Sequence, residues 1–247
     1  MIFEYDQLTP VVFGAGAIDS LGERVKAYGC KKVLCVYDGG VKAAKISERA
    51  EASLKAAGVD FVSFDKISAD PATTLVDEAG ALARKEQVDG VIGVGGGSSM
   101  DAAKGAALLM SHDSPIAQYL TLPPTMLKSS VPIFLVPTTA GTGSEVTQVA
   151  VLSDNERDLK LAVFVRSTLA IVDPELTLTV PAHVTATTGM DAFTHASEAI
   201  TAKKWDPRSE LLACAAIEKI TKNVLANHNK RSIKSIQNTI NRTAPYN

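Results

Sequence analysis

The chain has 247 residues, room for one large domain or two ordinary ones. Its 46% apolar and 21% charged residues predict a sizeable core and exclude a wholly disordered chain. With 25 basic against 27 acidic residues the formal net charge is −2, so no strong field favours nucleic acid or an anionic membrane as partner. Cys30, Cys35 and Cys214 form an odd set without a CxxC pair, as expected of reduced thiols in a cytoplasmic protein. The opening MIFEYDQLTP has neither a basic n-region nor an apolar h-region, so no signal peptide is expected. No apolar run reaches the roughly 20 residues of a membrane span.

In chain order, Val11–Phe13 predicts a short strand. A glycine turn then leads into an amphipathic helix from about Ala17 to Tyr28, with Ile18, Leu21 and Val25 at helical spacing and Gly29 as its stop. KVLCVYD (Lys32–Asp38), followed by Gly39 and Gly40, predicts a buried strand. A helix runs on to about Ala57 and closes at Gly58. Asp60–Asp65 predicts the next strand and Thr73–Lys85 a helix. GVIGVG (Gly90–Gly95) predicts a strand, Ser99 to about Met110 a helix, and Pro132–Thr138 another strand. Strands alternating with helices imply right-handed βαβ crossovers and a mostly parallel sheet, the α/β class. Beyond TTAGTGSE, the segments TQVAVLSD and LKLAVFV flank the turn-forming DNERD, which predicts a hairpin. AIVDPELT leads into helix. From Ala182 onward the pattern is helical, broken once at KKWDP. A domain boundary is placed near Val180. From about Leu225 the sequence turns rich in Asn, Ser, Thr and Lys, with Ile233, Ile236 and Ile240 spaced for a short amphipathic helix.

Three stretches carry chemistry. In VGGGSSMDAAKG a buried strand ends in Gly95, Gly96 and Gly97, and Ser98 and Ser99 open a helix. Bare backbone admits close approach of a ligand, and free N–H groups at the positive end of a helix suit a pyrophosphate. The spacing is not GxGxxG, and the loop follows a later strand than the first of the series, unlike an ordinary Rossmann fingerprint. Ser98 with Asp101 three residues on resembles a capping box. Asp38, at the end of its strand, can accept hydrogen bonds from a ribose 2′-hydroxyl and repel a 2′-phosphate, or it can cap the loop. PTTAGTGSEVT sets Thr138, Thr139, Thr142, Ser144 and Thr147 around two glycines, either as cofactor-binding hydroxyls or as an ordinary polar turn.

Together these stretches resemble the iron-containing (group III) alcohol dehydrogenases. FGAGAIDSLGE, YDGG, GVGGGSSMDAAKG, VPTTAGTGSEVT, AIVDPELT and GMDAFTHASEA stand in family order at family-like spacing, from about Val11 to Val224. Dehydroquinate synthase and glycerol dehydrogenase share the architecture, but PTTAGTGSEVT with GMDAFTHA fits the iron alcohol dehydrogenases better. The resemblance implies an NAD(P)-binding, parallel-sheet α/β domain over residues 1–180. Residues 181–247 would be the beginning of an all-helical metal and substrate domain. It implies that Asp38 contacts the adenosine ribose and favours NAD, with NADP the alternative. Gly95, Gly96, Gly97 and Ser98 would form the pyrophosphate loop. Thr138, Thr139, Thr142, Thr147 and Lys160 would line the rest of the cofactor site. Asp101 and Lys104 of the same motif are expected to serve structural roles.

Asp191 and His195 lie one helical turn apart, so both emerge on one helix face. Carboxylate oxygen with imidazole nitrogen suits Fe²⁺ or Zn²⁺. The resemblance makes them two of four metal ligands, the others being later histidines beyond this chain. His112, His183 and His228 are poor replacements. The chain is therefore identified as a C-terminally truncated member in which metal is weakly bound or absent. The expected chemistry is hydride transfer between a small alcohol or aldehyde and NAD(P), impaired by the missing ligands. The alternative is an inactive nucleotide-binding or self-associating remnant. Exposed helix faces lead to an expected homo-oligomer. No catalytic residue is assigned, and retained Asp191 and His195 disfavour a metal-independent reductase.

Overall fold

The computed structural model describes residues 9–120, 126–203 and 206–229. The short helix expected around Ile233, Ile236 and Ile240 lies outside them. Two compact units emerge. The larger holds residues 9–138 and 144–173; the smaller holds Thr139–Gly143 and residues 174–229.

The larger unit is built on six strands, all parallel: β1 (Val11–Phe13), β2 (Lys32–Asp38), β3 (Asp60–Ile67), β4 (Gly90–Gly95), β6 (Ile133–Pro137) and β9 (Leu169–Val172). Their spatial order is β1-β9-β6-β4-β2-β3. The central strands β4 and β6 are buried along their whole length, which is why they read as unbroken apolar runs. A second, small sheet joins β5 (Met126–Leu127) to the hairpin of β7 (Val149–Asp154) and β8 (Leu159–Val165). The hairpin expected from the flanking sequences is present, with Ser153 opposite Lys160. Asp154 Oδ1 shapes its turn by accepting the amides of Glu156 and Arg157.

Helices α1 (Leu21–Ala27), α2 (Gly39–Ala43), α3 (Ile46–Ala57), α4 (Thr73–Lys85) and α5 (Gly97–Leu108) connect the strands. α5 is buried on every side from Ser99 to Leu108 and packs with β4, β6, α4 and β7 around one core. In the smaller unit α6 (Ala182–Thr201) and α7 (Pro207–Asn229) pack on one another. No helix among the described residues is long and apolar enough to cross a membrane. The three cysteines are free, and burial pushes the Cys30 thiol up to about 11 and raises Cys35 as well, as befits inert packing thiols.

Four expectations need correction. The helix read as Ala17–Tyr28 is a 3-10 turn, Ala17–Ser20, followed by α1. The helix read as running to Ala57 breaks at Lys45, whose φ of 59° is left-handed, so it becomes α2 and α3. AIVDPELT does not pass straight into helix: Leu169–Val172 is strand β9, then a 3-10 turn covers Pro174–Thr179. A four-residue apolar run has no period that separates strand from helix; its place beside β6 decides it. Finally, Ser98 does not cap α5: the N-cap is Gly96, without a side-chain cap, and Ser98 lies inside the first turn.

Gly22 sets how closely α1 packs on α3. A Cβ there would stand 2.1 Å from the Ser53 carbonyl oxygen and 2.9 Å from Ala57 Cβ. The Gly22 amide also donates to Ser53 Oγ at 3.0 Å. Gly22→Ala is expected to destabilise the larger unit by about 2–3 kcal/mol, as overpacking does. A urea midpoint equal to wild type would contradict this packing.

Candidate functional site

The strand order reverses direction between β2 and β4. From β2 the chain steps outward to β3; from β4 it steps the other way to β6. In open parallel sheets the crevice at such a switch, outside the carboxyl ends of the strands, is the ligand site. Asp38 ends β2 and Gly95 ends β4, so both stand at its mouth.

Gly95 has φ of 146°. A Cβ there would lie 2.7 Å from Ser99 Oγ and 3.3 Å from Asp38 Oδ2, so the bend and its closeness to Asp38 both demand glycine. The chain then enters α5 at Gly97, with no side chain capping its start. That leaves backbone N–H groups and the positive end of a twelve-residue helix at the crevice, with Ser98 in the first turn. Thr138, just past β6, donates its amide to the Gly95 carbonyl at 2.9 Å, which ties the neighbouring strand end to the bend.

Asp38 does cap: its Oδ1 accepts the amides of Gly40 and Val41 at 2.7 and 2.9 Å, opening α2. Its Oδ2 accepts Ser99 Oγ at 3.1 Å. The carboxylate is thereby held in one orientation at the crevice, a fixed negative charge.

Other sequence-selected residues are spread more widely. Thr147 hangs on α5, its Oγ1 3.4 Å from Lys104 Nζ. Lys160 lies on β8, exposed, and pairs with Asp70 at 2.5 Å. Thr139 and Thr142 belong to the smaller unit. The Thr139 hydroxyl is buried without a hydrogen-bond partner among the described residues. A buried hydroxyl left unsatisfied is costly, so this atom fits a site completed by a ligand.

Asp101 and Lys104, expected in structural roles, form a buried polar network beside this loop, whose partners on residues 144–151 the sequence does not reveal. Lys104 has no solvent exposure. Its Nζ donates to the carbonyls of Ser144 at 2.7 Å and Val149 at 2.6 Å, and lies 3.1 Å from Ser144 Oγ. Asp101 Oδ1 accepts Ser144 Oγ at 2.5 Å and stands 3.7 Å from Lys104 Nζ; Asp101 Oδ2 accepts the Val151 amide. Burial lowers Lys104 to about 8 against the pull of Asp101, and burial raises Asp101 against the pull of Lys104. Glu145, beside them, is also raised by burial. The signal was available: two charged residues one turn apart in a helix otherwise of Ala, Gly, Ser, Met and Leu.

In the smaller unit, Asp191 and His195 meet on one face of α6, with His195 Nε2 3.7 Å from Asp191 Oδ1. Both are partly exposed, 41% and 54%. The donors fit Fe²⁺ or Zn²⁺ in kind, and no group of three metal-binding side chains occurs among the described residues. His183 stands in the first turn of the same helix. His112 is engaged elsewhere, its Nδ1 3.0 Å from the Leu108 carbonyl and its ring edge-on to Tyr119. The side chain of His228 lies outside the described residues.

The fold is thus a doubly wound α/β unit with a glycine bend at its switch point, the build of nucleotide-binding enzymes. The sequence model of the iron-containing alcohol dehydrogenases matches residues 9–174, and the chain belongs to that family. It is 41% identical over 215 residues to a choline dehydrogenase of Bacillus subtilis (strain 168), covering 85% of this chain and 54% of that protein. It is 39% identical over 212 residues to an NAD-dependent methanol dehydrogenase of Bacillus methanolicus, covering 85% and 55%. Among solved structures, sulfoacetaldehyde reductase from Bifidobacterium kashiwanohense in complex with NAD⁺ superposes with a TM-score of 0.91 at 30% identity, covering 97% of this chain and 64% of that one. The chain spans a little over half the length of these curated relatives.

Proposed function

We propose that this chain binds NAD at the switch-point crevice and serves an alcohol dehydrogenase reaction, hydride transfer between a small alcohol or aldehyde and the nicotinamide. The observation that carries the reading is the Gly95 bend opening an uncapped α5 beside the fixed carboxylate of Asp38. The N–H groups of Gly96, Gly97 and Ser98 would receive the pyrophosphate, where helix dipole and bare backbone favour an anion. Asp38 would take the adenosine ribose hydroxyls on lone pairs its caps leave free, and its charge would turn away a 2′-phosphate. Thr138, Thr139, Thr142, Thr147 and Lys160 would hold the remainder of the cofactor.

Asp191 and His195 would hold Fe²⁺, with Zn²⁺ the alternative. A bound ion of this kind supplies Lewis acidity toward the alcohol or aldehyde oxygen. Two ligands hold an ion weakly, so turnover by this pair alone is impaired. The buried free thiols suit a reducing, cytoplasmic setting. Exposed Leu211 and Leu212 on α7 and Met190 on α6 support self-association as a homo-oligomer.

The test is a titration with NADH and NADPH followed by nicotinamide fluorescence, then alcohol oxidation with added Fe²⁺. NADH is expected to bind at least tenfold more tightly than NADPH. Asp38→Gly is expected to narrow or reverse that ratio, while losing only a few tenths of a kcal/mol of stability with the α2 cap. Native preference for NADPH would overturn the role of Asp38. Turnover lost in Asp191→Ala would support the metal pair; NADH binding without turnover would leave a nucleotide-binding chain alone.

A further inference from the structure

We infer that Lys104, together with Asp101, is a positioning residue for the cofactor: it fastens residues 144–149 to α5, so that Thr147 and the glycine bend are carried by one rigid helix. The inference rests on the NAD reading above.

The segment between β6 and β7, residues 138–148, has no regular secondary structure and contains Gly141 and Gly143. Such a stretch does not hold hydroxyls in place by itself. Its far half is instead tied to α5 from the inside. The Lys104 ammonium has three protons to give. The Ser144 and Val149 carbonyls take two, and Ser144 Oγ and Thr147 Oγ1 lie within reach of the third. Asp101 adds two anchors, Ser144 Oγ in the segment and the Val151 amide in β7 just after it. Thr147 Oγ1 also lies 3.4 Å from the carbonyls of Ser144 and Val149, so its rotamer is set by the same knot. Asp101 and Lys104 sit one and two turns into the helix whose first turn begins at the glycine bend. A fully buried lysine is a costly way to fill space, and an apolar side chain would pack α5 as well. What a methyl group could not do is hold the Ser144 carbonyl and two hydroxyls of an irregular loop together with the first carbonyl of β7.

A purely structural lysine and a positioning one differ in what they do to the two halves of the dinucleotide. ADP needs the glycine bend and Asp38; NADH needs these and the hydroxyl loop. The experiment measures NADH and ADP affinity by calorimetry for wild type and Lys104→Met, with hydrogen exchange of residues 144–151 recorded without ligand. Lys104→Met is expected to lose at least tenfold in NADH affinity, to keep ADP affinity within threefold, and to exchange faster over 144–151. Equal loss for NADH and ADP, or loss for neither, overturns the positioning role while leaving NAD binding intact. Failure of wild type to bind NADH overturns the cofactor reading and this inference with it. Should Lys104→Met not fold, Ser144→Ala removes one acceptor of the knot. It is expected to weaken NADH about threefold without changing ADP, and an unchanged NADH affinity there overturns the proposal.

Discussion

Gly95→Val is expected to lower NADH affinity by at least about 100-fold, the largest effect of any single change at the crevice. Two costs add. Backbone at φ of 146° is open to glycine and strained for a β-branched residue, by about 1–3 kcal/mol. The added Cβ would also stand 2.7 Å from Ser99 Oγ and 2.8 Å from Ser99 Cβ, so the bend or the first turn of α5 must move. Movement there misdirects the N–H groups that meet the phosphates. Hydrogen bonds to a charged group are worth about 1.5–3 kcal/mol each, so losing two accounts for the expected factor. Ser99 also donates to Asp38, so the Asp38 carboxylate is released by the same change. Fluorescence titration measures the loss, and a thermal melt separates it from unfolding. NADH binding within threefold of wild type would mean that the dinucleotide does not use this bend.

Asp101→Asn is expected to cost about 3–5 kcal/mol of stability at pH 7, because it takes the nearest negative charge from the buried Lys104 cation. The pH dependence identifies the cause. Burial holds Lys104 at about 8 in the folded chain, below its ordinary value of 10.5. Between those values the unfolded chain binds the extra proton, so this group's contribution to stability rises with pH across that window and is flat below it. Asp101 is what pulls Lys104 upward, so without it the window opens at lower pH. The deficit of Asp101→Asn is therefore expected to shrink as pH rises from 6 to 8 and to stay constant above. Glu145 also pulls Lys104 upward, though burial raises its own carboxyl. Urea denaturation of both proteins at several pH values measures it; a deficit that ignores pH would mean the pair is not ionised as drawn.

Much of the fold was legible, for a physical reason. Strands buried on both faces, such as KVLCVYD and GVIGVG, must be apolar throughout, and glycines must follow where the chain turns into a helix. Their loops were legible for the same reason, and the crevice with Asp38 and Gly95 follows from them. What escaped notice depends on distant partners. β9 is a strand because β6 offers an edge, and the break at Lys45 has no glycine or proline to announce it. α5 escaped differently. A helix buried all round has no polar face, so periodicity cannot say which way Asp101 and Lys104 point. The capping-box spacing points Asp101 at the helix start, and its carboxylate instead turns inward to Ser144 and Val151. The four-residue spacing of Asp191 and His195 predicts one helix face, and α6 sets the two side chains 3.7 Å apart on it.

The pairing of β1 with β9 sets an order of events during synthesis. Val11 finds its neighbour only when Ala170 has been made. At ~5–20 residues per second the ribosome takes roughly ten to thirty seconds to deliver it. Throughout that wait β1, the first strand among the described residues, with Val11 and Phe13 still 41% and 47% exposed even after docking, is a sticky nascent edge without a mate. Chaperone capture of the growing polypeptide should accordingly peak before residue 170 emerges and fall sharply once it does.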